Sequence, residues 1–252
     1  MGRLLASEMI WSEVEKNLKN IKLAIIPTGS CEQHGPNTTF TTDTDRAYEF
    51  SKLLGDRIEE KALIFPPVTY GVSHHHMGFP GTVTLQVKTM IDMLVDIGIT
   101  INKHGIKKIL YINGHGGNRV ALDGAIQILK YEHGIDAYWT GMGTNIARKT
   151  LEEKYGIPKV VGHACQVETS QCMYLAPWVV SDNLKAGQLH EESPYFKNMM
   201  IDGNTAWDWK KDVTENGALG DATKSSYEMG KLMTDIALDY IEKIIDEIIL
   251  RD

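Results

Sequence analysis

Glu32-Gln33-His34, Asp43 and the run Asn113-Gly114-His115-Gly116-Gly117-Asn118 supply the residue types that hold a divalent ion. Glu32 and His34 are two residues apart, so in an extended segment both side chains leave the same side of the backbone. Asp43 follows the Thr-rich stretch Thr38-Thr39-Phe40-Thr41-Thr42 at the start of a predicted helix, where its carboxylate can serve one ion, bridge two, or simply cap the helix. His115 stands among Gly114, Gly116 and Gly117, which let the backbone approach a ligand closely or adopt positive φ. Imidazole mixed with carboxylate suits zinc, manganese, iron or cobalt rather than calcium, and the absence of thiolates argues for a catalytic ion over a structural zinc. Singly, each feature has a bland alternative: a chance Glu-x-His, a helix cap, a glycine turn around a phosphate.

What joins them is position. Leu23-Ala24-Ile25-Ile26-Pro27 precedes the first cluster and Lys108-Ile109-Leu110-Tyr111-Ile112 the second, and both read as buried strands that deliver their sequels to the end of an open α/β sheet. Around them the pattern alternates. Helices are predicted over 5–19, 43–60 (beginning at Asp43 or Asp45), 88–104, 118–132, 169–176 and 222–250, and strands over 22–27, 62–68, 108–112 and 137–141. The segment 181–225, with Pro194, Trp207 and Trp209, reads as a long irregular loop in which the tryptophans gate the site or anchor a subunit contact. This alternation predicts an α/β fold with a mainly parallel sheet between helical layers.

The 252 residues, 42% hydrophobic, suffice for one large domain over residues 1–252. A net charge of −7 disfavours nucleic-acid and anionic-membrane partners and favours a small neutral or polar substrate. Cys31, Cys165 and Cys172 have no CxxC spacing and leave an odd thiol, which points to the reducing cytoplasm. The N-terminus does not read as a secretory signal, and no run approaches a membrane span.

Five blocks carry a family resemblance. Gly29-Ser30-Cys31-Glu32-Gln33-His34-Gly35-Pro36 with Thr42-Asp43-Thr44 resembles the first signature of the creatininase family, the creatinine amidohydrolases. So do Tyr70-Gly71-Val72-Ser73 with Phe79-Pro80-Gly81-Thr82, then Asn113 to Asn118, then Gly162-His163-Ala164 with Glu168-Thr169-Ser170, and finally Gly217-Ala218-Leu219-Gly220-Asp221. The resemblance implies a three-layer α/β/α protein with two divalent ions per subunit, zinc or manganese with iron as an option, assembled as a hexamer built from dimers. By motif position Glu32, His34, Asp43 and His115 would be ligands, with Asp43 bridging, and Glu168 would be the fifth. His163 matches the family's catalytic histidine, acting beside Glu168 to protonate the leaving group, with a buried structural histidine as the alternative; an ordinary imidazole titrates near pH ~6.5. Ser73, His75, His76, Asn37 and Gln166 would line the substrate pocket. In an extended loop His74, His75 and His76 alternate sides, so at most two converge.

Departures from the pattern bear on substrate. Gly117 stands where creatininase itself has a metal-binding glutamate, Asn37 where many members have histidine, and Cys165-Gln166 where they have Gly-Glu. Lys159 and Val160 replace a tryptophan and an aspartate of creatininase, so creatinine is not the expected substrate. The reading is C–N hydrolysis of a small polar cyclic amide or formamide by a metal-activated water. Hydrolytic C–C opening of an inosose-type polyhydroxy ketone is the alternative, followed by a catalytically silent metal-binding subunit. A nucleotide site at the glycine turn lacks both GxGxxG spacing and a Gly-Lys-Ser/Thr.

Overall fold

In the computed structural model, which describes residues 2–160, 162–190 and 208–251, five parallel strands form one sheet. They are β1 (Leu4–Leu5), β2 (Leu23–Thr28), β3 (Ala62–Ile64), β4 (Lys108–Asn113) and β5 (Asp136–Gly141), in the order β1-β3-β2-β4-β5. The helices are α1 (Trp11–Asn17), α2 (Thr42–Ile58), α3 (Val87–Lys103), α4 (Arg119–His133), α5 (Thr144–Tyr155), α6 (Gln166–Leu175) and α7 (Tyr227–Leu250).

Alternation along the buried strands builds two cores. Leu23 and Ile25 of β2 with Leu110 and Ile112 of β4 face α2 and α7, packing with Phe50, Leu54, Ile241 and Ile245. Ala24, Ile26, Ile109 and Tyr111 point the other way, against Met90 and Leu94 of α3 and Leu122 and Leu129 of α4. The result is the expected α/β/α layering with α7 lying over the sheet. No helix among the described residues is long and apolar enough to cross a membrane.

Several expected boundaries move. The predicted helix over 5–19 divides, because Leu4 and Leu5 pair with Leu63 and Ile64 as an edge strand and the α-helix starts only at Trp11. The third strand ends at Ile64 rather than 68, since Pro66-Pro67 cannot donate to a ladder, though Val68 rejoins β2 through its bridge to Thr28. Helix α2 starts at Thr42, and neither Asp43 nor Asp45 caps it. Helix α5 is absent from the sequence reading. Helix α6 starts three residues before the predicted 169. Helix α7 begins at Tyr227, where the Ser226 hydroxyl accepts from the Met229 amide. Residues 74–76 form a 3-10 turn, not an extended loop.

Candidate metal centre

The register places β2 and β4 side by side, Thr28 opposite Asn113, so the segments that follow leave the sheet as neighbours. They touch backbone to backbone. A side chain at Gly114 would meet the Asp43 carbonyl at 2.3 Å, and one at Gly29 would meet Thr44 at 2.2 Å. None of Gly114, Gly116 and Gly117 adopts positive φ, so Gly114 and Gly117 serve close approach and not unusual dihedrals, while Gly116 faces open space. Both asparagines of the turn are tied to backbone. Asn113 bonds the amide and the carbonyl of His115, while Asn118 accepts from Val72 N at 3.0 Å and donates to Gly29 O at 3.0 Å.

Into this frame project Glu32, His34, Asp43 and His115, all buried. His34 directs Nδ1 to the Glu32 carbonyl at 3.1 Å, which leaves Nε2 facing Asp43 Oδ1 at 3.4 Å and Glu168 Oε2 at 3.8 Å. His115 directs Nε2 to Val72 O at 3.0 Å and Nδ1 toward Glu32 Oε1 at 3.1 Å and Asp43 Oδ2 at 3.2 Å. Backbone carbonyls thus set the ring orientations, as they do for ligand histidines. Ser73, read from the sequence as a substrate contact, donates instead to Glu32 Oε2 at 2.5 Å and turns the other carboxylate oxygen inward. Glu32 Oε1, His34 Nε2 and Asp43 Oδ2 are left buried without an aligned hydrogen bond. Three such atoms on neighbouring groups are costly unless a cation fills the space between them. Glu32, His34 and Asp43, and likewise His34, His163 and Glu168, offer ligand atoms within 4.8 Å of one another, so the donor set fits one or two divalent ions.

The electrostatics point the same way. Burial alone would depress His34, but Asp43, with Glu168 and Glu32, holds its pKa up at about 9. His115 is likewise raised well above its ordinary value against burial, chiefly by Glu32 and then by Asp43. Burial would raise Asp43, yet His34 and His115 keep it well below the usual carboxylate range. Protons on the two imidazoles occupy the place that cations would take.

Glu168, 8% exposed, is the third residue of α6 and reaches back to accept from Ala164 N at 2.6 Å, while Arg46 holds its other oxygen at 2.7 Å. Ala164 sits at φ 49°, a left-handed backbone held by that contact. His163 lies against His34 with ring centroids 4.3 Å apart. Its Nε2 donates to Gln33 O at 2.6 Å, so Nδ1 is the free nitrogen, 3.7 Å from Glu32 Oε1. Burial and the charge on His34 lower its pKa.

Of the histidine run, His75 and His76 converge on the site, whereas His74 is exposed near Thr84. His76 Nε2 is 3.4 Å from Glu32 Oε1, and His75 stacks on His115 at 5.6 Å. Burial, then neighbouring histidines, pushes His75 down to about 4. Two other predicted pocket residues are occupied elsewhere. Asn37 bonds Ala164 O at 2.9 Å and Lys185 N at 2.8 Å, and Gln166 accepts from Asp221 N at 2.8 Å, so both fasten loops through backbone. Trp209 is buried rather than exposed, its ring 4.9 Å from His76 and its Nε1 3.0 Å from Gly217 O. Trp207 and Pro194 lie outside the described residues.

Sequence reasoning missed Arg46 and Gln33. Arg46 also donates to Gly114 O at 2.9 Å, and its only sequence signal is its place one turn after Asp43. Gln33 lies between two ligand candidates, and its side chain reaches Gly217 O at 3.1 Å, Gly35 N at 2.7 Å and the rings of His76 and His163.

A protein-family model described as creatininase, creatinine amidohydrolase, matches residues 7–245. The chain is 32% identical over 216 residues to the mycofactocin precursor peptide peptidase of Mycolicibacterium smegmatis, covering 84% of this chain and 79% of that protein. It is 28% identical over 271 residues to the 3-dehydro-scyllo-inosose hydrolase of Thermotoga maritima, covering 96% and 83%. Among solved structures, a manganese form of creatininase shares the fold with a TM-score of 0.80 at 22% identity, over 99% of this chain and 100% of that one.

Proposed function

The chain belongs to the creatininase family, and from that premise we propose that it hydrolyses the C–N bond of a small polar cyclic amide or formamide. Two divalent ions, zinc or manganese, would be held by Glu32, His34, Asp43, His115 and Glu168, with the Asp43 carboxylate shared. Bound there, such ions supply Lewis acidity and a water of lowered pKa. The observation that carries the reading is the convergence of Glu32 Oε1, His34 Nε2 and Asp43 Oδ2, three buried atoms without an aligned hydrogen bond.

The remaining work falls to the chain's own groups. Burial and the charge on His34 favour the neutral form of His163, with its Nε2 proton directed to Gln33 O and its Nδ1 facing the carboxylates. It can therefore accept a proton at Nδ1 and deliver it to the departing nitrogen. Arg46 balances part of the negative charge and steadies Glu168, and Ser73 sets the angle of Glu32. The peptidase relative supports C–N chemistry by its name, and the inosose hydrolase relative makes C–C opening the reading to test against it.

Metal analysis combined with a hydrolysis screen tests the proposal. About two ions per chain with turnover of cyclic amides or formamides is the expected result. Turnover of inosose-type rings alone would move the reaction to C–C cleavage, bound metal with no turnover would indicate a silent subunit, and no tightly bound metal would overturn the proposal.

A further inference from the structure

A cavity of about 650 Å³ opens at the carboxyl ends of β4 and β5 and shares Arg46, His115 and Glu168 with the metal centre. Its lining is rich in arginine although the chain carries a net charge of −7. Arg46, Arg119 and Arg148 line it, and Glu168 is the single carboxylate among the described lining residues. That carboxylate is already engaged by Arg46 and the Ala164 amide.

The three arginines are not equivalent. Arg148 is bound to Glu152 at 2.7 Å and to the Lys159 carbonyl at 2.6 Å, so it contributes charge at a fixed position. Arg46, 5% exposed, donates through Nη2 to Gly114 O and Glu168, yet its buried Nε has no hydrogen-bond partner. Arg119 is exposed, and among the described residues its guanidinium makes no ion pair or hydrogen bond. Backbone reinforces the side chains. Thr144, Asn145 and Ile146, the first turn of the twelve-residue α5, border the cavity, and the N-cap Gly143 at φ 100° provides no side-chain acceptor for their amides. A helix start without a cap and a free guanidinium on the wall of one cavity favour an anion. Trp139, Met142 and Ile146 add an apolar wall.

We infer that the substrate carries an anionic group, a carboxylate or a phosphate, which Arg119 and the first turn of α5 hold in this cavity while the scissile bond lies at the metal centre. The inference rests on the hydrolytic reading for the word substrate, but the anion site itself can be measured without turnover. Inorganic phosphate and acetate are titrated calorimetrically into the zinc-loaded full chain, and into Arg119→Ala and Arg119→Lys prepared with the same metal content. Arg119 is exposed, so both variants should fold. Wild type is expected to bind at least one anion at one site per chain, at least tenfold more tightly than Arg119→Ala, with Arg119→Lys between them. The tighter of the two anions identifies the group. Equal affinity in wild type and Arg119→Ala, or binding of neither anion to wild type, overturns the inference whatever the enzyme hydrolyses. Loss of anion binding in Arg119→Ala together with an empty hydrolysis screen would uphold the anion site and remove the C–N reading.

Discussion

Five histidines meet at one end of the sheet, and they divide into two groups a few ångströms apart. His34 and His115 each face two carboxylates within 3.8 Å, and their affinity for protons is raised. His75, His76 and His163 pack on the outer side against Trp209 and one another, and burial lowers all three. The same side chain is thus made a seat for positive charge in one group and a neutral acceptor in the other. What separates them is the closeness of two carboxylates to each inner ring, with burial common to both groups. His76 and His163 also approach Glu32, at 3.4 and 3.7 Å, but are lowered further by neighbouring imidazoles.

The largest effect should come from removing the inner group. His34→Ala and Asp43→Ala are expected to reduce turnover to background and lower metal content while circular dichroism stays native. Full metal content and full activity in either variant would break the division. Replacing His163 by Ala should lower kcat by about 10²–10⁴-fold, the range for a lost acid–base group, and leave metal content unchanged. Metal lost along with activity would move His163 into the inner group.

The next effect concerns pH. His34 binds its proton with a folded pKa of about 9 against an ordinary 6.5, so that proton stabilises the metal-free fold fully below pH 6.5, and the contribution disappears as pH rises through 9. It amounts to roughly 3 kcal/mol. Asp43, held below its ordinary 3.8, acts in the opposite sense, and its contribution is lost only as pH falls below that value. Metal-free protein should therefore melt at its highest temperature near pH 6.5, because the lowered His75, His76 and His163 cost stability as pH falls below that value, and at a lower temperature by pH 9. Metal-loaded protein should lose less over that range, because ions replace the protons. A flat melting curve from pH 6 to 9 for the metal-free protein would show that the inner imidazoles are not charged. The smallest effect is expected for Ser73→Ala, which frees one oxygen of Glu32 and should weaken metal binding about tenfold, as measured by competition with a chelator.

Much of this arrangement is legible in the chain. The two apolar runs before Glu32 and His115 and the glycine turn locate the candidate ligands, because strand period and metal-donor chemistry are local signals. Helix α5 escapes notice because Thr144–Tyr155 buries only Ala147 and Leu151, too narrow a stripe to register as amphipathic. The Leu4–Leu5 strand depends on a partner nearly sixty residues away, and two residues cannot reveal a period. Arg46 is hidden for a different reason. A lone arginine on a polar helix turn reads as solvated, and only the fold brings Glu168 to it from α6.

The contact of Gly114 with the Asp43 carbonyl is made of main chain on both sides. A scaffold joined in that manner does not depend on the identity of the surrounding surface residues, so the loops that meet small molecules are free to diversify over evolutionary time. New specificities can arise around the cradle without rebuilding it, provided that position keeps its hydrogen in place of a side chain.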